Sequence, residues 1–95
     1  MGSQEQFLEH LRQQHTFPGA FVFKVIGENS AVFVAEVVQV ITLVVGIRGQ
    51  PEVTIRVSRK GNHQAITIRV CVRSAESVLE VFAALQKVPG VRMLL

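Results

Sequence analysis

Arg59-Lys60-Gly61-Asn62-His63 is the densest run of polar chemistry in the chain. Two cations, a glycine and the backbone amides of a turn can hold a phosphate or a carboxylate, because successive N–H groups in a turn form an anion-binding concavity. The same run also suits a hairpin turn kept soluble by its charges. The other reactive side chains are scattered. His10, His15 and His63 fall in three different elements, the chain has no Asp, and no spacing among them suits a metal. Cys71 lies eight residues beyond His63 on what reads as one strand, about 26 Å at the usual rise, so the two cannot exchange a proton. Ser58 is nearer to His63, yet no third group orients that pair. No catalytic residue, cofactor or metal is assigned, and the chain reads as non-enzymatic.

The element that must hold this run is a hairpin from Glu52 to Arg73. Val53, Ile55 and Val57 alternate with Thr54, Arg56 and Ser58; Ile66, Ile68, Val70 and Val72 alternate with Thr67, Arg69, Cys71 and Arg73. Period-two alternation on both limbs predicts one face in a core and one in water. The apolar set is odd-numbered before the turn and even-numbered after it, which requires a turn with an even number of residues. A two-residue Gly61-Asn62 turn would set Val57 against Ile66 and Ile55 against Ile68. Turning on Lys60-Gly61 would set Gln64 against Val57 on the core face, and is disfavoured on that ground.

The flanking segments read in chain order. Gln4–Gln14 is a short amphipathic helix with Phe7, Leu8 and Leu11 on one stripe and Ser3 as its cap. Pro18 and Gly19 break it. Ala20–Ile26 alternates as a strand, with Phe21, Phe23 and Val25 toward the core, and Gly27-Glu28-Asn29 ends it. Ala31–Val45 is rich in Val, Ile and Thr, so propensity favours a strand. Its length, the Asn29 or Ser30 cap, Gly46 after it and the polar positions Glu36, Gln39 and Thr42 predict a helix instead. The run is too short to span a membrane, at under the roughly 20 residues needed, and it carries a glutamate. Its excess of valine implies cover by the N-terminal helix or by another subunit. Gly46–Pro51 is a loop with Arg48 and Gly49 at its tip. Ser74 caps a helix over Ala75–Lys87, Pro89-Gly90 stops it, and Val91–Leu95 is a last short strand.

Ninety-five residues with 48% hydrophobic and 18% charged side chains make one globular domain. A net charge of +3 permits anionic partners without requiring them. A single cysteine forms no internal disulfide and suits a reducing cytosol. The first fifteen residues carry Glu5, Glu9 and several glutamines, and read as a helical extension, not a signal peptide.

Residues 1–15 are thus an N-terminal helical extension, and 16–95 a domain with the order strand, helix, two strands, helix, strand. Right-handed crossovers of two split units give an α+β fold: a ferredoxin-like βαββαβ sandwich, a four-stranded antiparallel sheet with two helices on one face. The uncovered face then carries Lys24, Arg56, Arg69 and Arg92, with Thr54, Thr67 and Cys71 between them and no carboxylate.

Phe17-Pro18, the run Phe-Lys-Val-Ile-Gly over 23–27, Ser58-Arg-Lys-Gly-Asn-His63 and the terminal Val91-Arg-Met-Leu-Leu95 resemble the YbeD-like family of small bacterial proteins over residues 16–95. The resemblance implies a fold similar to the ACT regulatory domain, a module that pairs with copies of itself and often senses a small metabolite. Genes of that family often lie beside lipoate-attachment genes, which implies a setting in lipoate or amino-acid metabolism. No activity is established for the family, so no catalytic residue carries over. The valine-rich 31–45 segment departs from relatives, which carry more charge there.

The leading expectation is a cytosolic, self-associating, ACT-like regulatory module. It would bind a small anionic metabolite, or regulate a partner enzyme, through Lys24, Arg56, Arg59, Lys60, Gly61, Asn62, His63, Arg69 and Arg92. A second is a nucleic-acid-binding accessory protein using the basic sheet face. That reading is the weaker one, since the strand phenylalanines have core parity and no stacking platform remains. A third is a structural partner docking through the 31–45 helix.

Overall fold

The computed structural model describes residues 2–46, 48 and 50–95. The elements run α1 (Gly2–Gln14), β1 (Gly19–Glu28), α2 (Ala31–Val45), β2 (Glu52–Val57), β3 (His63–Val72), α3 (Ala75–Leu85) and β4 (Val91–Leu94). The strands form one antiparallel sheet in the order β2-β3-β1-β4. This is the ferredoxin-like arrangement with an extra N-terminal helix. Among the described residues no helix is long and apolar enough to cross a membrane. The loop tip expected at Arg48-Gly49 lies partly outside the described residues.

The valine-rich segment is helical, against its propensity. Ser30 is its N-cap, accepting a hydrogen bond from Phe33 N–H at 3.0 Å. Gly46, at φ 84°, closes it by donating its N–H to the Thr42 carbonyl. Burial supplies the rest: Phe33, Val37 and Ile41 lie on one stripe at helical spacing, all in the core, and packing of such a stripe outweighs a few tenths of a kcal/mol per residue in propensity. Ser74 caps α3 in the same way, and Val78, Val81 and Leu85 are its buried stripe. These side chains meet Phe23 and Val25 of β1 and Ile66, Ile68, Val70 and Val72 of β3 in a single core. Gly27 completes that packing, because a Cβ there would run into the Phe33 ring and the Gly90 carbonyl.

Several expectations need correction. Helix α1 begins at Gly2, so Ser3 lies inside it and is no cap. It rests on α3, with Leu8 and Leu11 buried and Arg12 paired with Glu76, and it does not supply the cover expected for α2. Val32 and Leu43 of α2 remain exposed. The odd-numbered side chains of β2 are not in the core: Val53, Ile55 and Val57 are 38, 46 and 50% exposed. They point to the helix side, but β2 is an edge strand beyond the reach of α2 and α3. Helix α3 stops at Leu85, two residues before the expected Lys87.

The hairpin register is the one disfavoured from the sequence. Val57 opposes Gln64, Ile55 opposes Ile66 and Val53 opposes Ile68. Gln64 is indeed on the core face, only 4% exposed, and is satisfied there. Its side-chain amide donates to the carbonyls of Glu28 at 2.9 Å and Ser30 at 3.1 Å. A buried amide with its donors used costs little. The turn correspondingly spans Arg59–Asn62, not Gly61-Asn62 alone: Ser58 N–H donates to the His63 carbonyl and Gly61 N–H to the Ser58 carbonyl.

Candidate functional site

The corrected register builds a hollow on the open face of the sheet. Across the strands, one row reads Arg56 on β2, Ala65 on β3, Ile26 on β1 and Met93 on β4. In the register expected from the sequence, Arg56 would have stood beside Thr67. In the observed one its neighbour is the small Ala65, and a methyl between two long side chains leaves a depression. The resulting pocket is about 520 Å³, floored by Ile26 and Ala65 and walled by Arg56, Ser58, Arg59 and His63.

Its walls are tied down. Ser58 Oγ accepts from the His63 backbone N–H at 3.2 Å, so this hydroxyl positions the turn. The Asn29 side-chain amide donates to the Gly61 carbonyl at 2.9 Å, joining the turn to the segment between β1 and α2. Gly61 takes φ 78°, a conformation that glycine adopts without strain. Lys60, Gly61 and Asn62 form the exposed tip and do not line the pocket.

The other expected site residues are dispersed. Lys24 stands opposite Thr67 in the middle of the sheet. Arg69 lies between Val22 and Glu52, in a separate and smaller hollow of about 270 Å³. Arg92 falls at a register shift in β4, where Met93 takes the place opposite Ile26. Strand β4 is the far edge from β2, about 14 Å across at ordinary strand spacing. The face expected to hold no carboxylate holds two: Glu52 shares it with Arg56 and Arg69, and Glu28, at the end of β1, stands opposite His63. Apolar Val22, Ile26 and Met93 share it too, so it is a mixed face with one cationic end. The strand aromatics Phe21 and Phe23 point away from it toward the core.

Of nine expected residues, then, three converge: Arg56, Arg59 and His63. Sequence reasoning missed Ile26 and Ala65, the floor. The available signal was size: Ala65 is an alanine among Thr67, Arg69 and Cys71 on the open side of β3.

A family described as protein of unknown function DUF493 matches residues 12–95. A UPF0250 protein of Shewanella sediminis is 38% identical over 79 residues, covering 83% of this chain and 88% of its own. A UPF0250 protein of Pasteurella multocida is 34% identical over the same shares. Among solved structures, the ACT domain of a GTP pyrophosphokinase from Chlorobium tepidum superposes with a TM-score of 0.58 at 17% identity, covering 80% of this chain and 94% of that one.

Proposed function

We propose, for a chain that belongs to the DUF493 family of proteins of unknown function, a non-enzymatic regulatory role: it binds a small anionic metabolite in the hairpin pocket and reports its presence to a partner enzyme. The observation that carries this reading is the row Arg56–Ala65–Ile26, an apolar floor with a guanidinium on its rim and a second, Arg59, on the turn. Such a site suits a ligand with a short apolar body and one carboxylate or phosphate, since guanidinium binds either in a bidentate fork. Pockets of this size and lining are of the kind that hold small molecules. The ACT-like fold lends the regulatory reading an analogy, and fold analogy alone assigns no ligand. The non-enzymatic reading is supported by the geometry of the reactive groups: Ser58 Oγ is engaged by the turn, and His63 and Cys71 lie at opposite ends of β3. A cytosolic setting in lipoate or amino-acid metabolism sets the first ligands to try.

Nitrogen-15 NMR titration with lipoate, amino acids and nucleotides tests the reading. A true ligand shifts the amides of Ile26, Arg56, Ala65 and residues 59–63 together. The Arg56→Ala/Arg59→Ala variant then weakens binding by roughly tenfold or more, the usual loss for a charge-assisted contact. Silence of these amides toward every class removes the ligand. RNA binding through Arg56, Arg59 and Arg69 that falls steeply with salt would favour the nucleic-acid alternative instead.

A further inference from the structure

The row that floors the pocket does not stop there. Beyond Ile26 its next member is Met93 of β4, 52% exposed. Arg56, Ala65, Ile26 and Met93 thus follow one another across all four strands, with a cation at one end and only apolar surface after it. The rows on either side are polar. Thr67 and Lys24 stand paired on one flank, and His63 and Glu28 on the other. An apolar line between polar flanks, entered from a cationic end, has the layout of a track.

The cationic end is built for an anion alone. Arg56 and Arg59 both line the pocket where the row begins, and among the described residues no carboxylate lines it. Glu28, opposite His63, lays its side chain beside Gly90 instead, so close that a Cβ there would meet it at 3.0 Å. Glu52 stands two rows away, opposite Arg69, about 14 Å along the strands. An ammonium group brought in beside the anion would find two guanidiniums and no acceptor of opposite charge.

We infer that the ligand is a straight-chain carboxylate, held by its head between Arg56 and Arg59 and laid across Ala65, Ile26 and Met93. This rests on the anion-binding reading of the same pocket and adds the form of the apolar body: linear, and running across the strands. Three strand spacings separate Arg56 from Met93, about 14 Å. With carbon–carbon bonds of about 1.5 Å in a staggered zigzag, roughly eight to ten carbons cover that span. Ala65 is the gate, since its methyl leaves the chain a way from the pocket onto Ile26 that a larger side chain would close.

Nitrogen-15 NMR titration of the full chain with straight-chain carboxylates from acetate to dodecanoate, each below its micelle concentration, tests the track. Acetate should move the amides of Arg56 and the 59–63 turn. Affinity should then climb about two- to fourfold per added methylene, the gain for a CH2 half to fully withdrawn from water. It should level off near octanoate to decanoate, and the Met93 amide should move only at those lengths. Octanoate should bind about tenfold or more tightly than 2-aminooctanoate, whose ammonium faces the arginines, and octyltrimethylammonium should leave the row unmoved. Ala65→Leu should weaken octanoate about tenfold or more by blocking the way while acetate binds as before. Met93→Ser, at an exposed position, should bring the levelling-off to shorter chains. The spectrum of each variant shows that it is folded.

Turn amides that move with an affinity blind to chain length overturn the track and leave the anion site standing. Amides silent toward the whole series remove both. Equal binding of octyltrimethylammonium along the row would make the effect tail adsorption and overturn the assignment, and equal binding of 2-aminooctanoate would overturn the head. An unchanged series in Met93→Ser would overturn the path onto β4.

Discussion

Ile66, Ile68, Val70 and Val72 of β3 are at most 1% exposed, whereas Val53, Ile55 and Val57, one strand away on the same side of the sheet, keep 38 to 50% of their surface. The two limbs carry the same alternation of apolar and polar residues. What separates them is the third dimension: α2 and α3 lie over β3, Phe82 of α3 reaches Phe23 of β1, and among the described residues neither helix lies over β2. Alternation tells which way a side chain points. It does not tell whether anything waits there to cover it.

The contrast can be broken at its strong end first. Ile68→Ala, at full burial, should cost about 2–5 kcal/mol in urea unfolding, the range for an aliphatic truncation that leaves a cavity. Ile55→Ala on β2, measured in dilute solution, should cost under about 1 kcal/mol, because much less surface is withdrawn from water. Equal costs would mean that β2 is covered even in the isolated chain. Gln64→Leu probes the junction of the two limbs. It keeps the volume but strips the Glu28 and Ser30 carbonyls of their donor, and should lose about 1–3 kcal/mol; a neutral result would show that water replaces the amide. Ser30→Ala should be the mildest, about 1 kcal/mol for a lost helix cap, read as a lowered unfolding midpoint with unchanged slope.

Much of this fold is written locally. The order of elements, the caps at Ser30 and Ser74 and the helical state of Ala31–Val45 all follow from spacing within one segment, even where valine propensity argues the other way. The register was not recoverable in that manner. Gln64 at a core position looks like an error until the carbonyls of Glu28 and Ser30, more than thirty residues earlier, are brought beside it. The site inherited the same limit. Arg56, Arg59 and His63 stood out by charge and proximity in sequence, but their apolar floor depends on which residue faces which across three strands. Glu28 was overlooked on the open face for a related reason: read as the end of β1, it is paired with His63 inside the strand, whereas Glu52 already had open-face parity at the start of the hairpin.

The hydrogen bonds from Asn29 to the Gly61 carbonyl and from Gln64 to the carbonyls of Glu28 and Ser30 have a mechanical consequence. Ser30 also starts α2, so the pocket wall and the first turn of that helix are clamped to one another across the end of the sheet. The turn cannot swing open without loosening the helix start, and stiffening either one stiffens both. A small body lodged against Arg59 would thus be felt on the opposite side of the sheet, with no hinge and no change of fold.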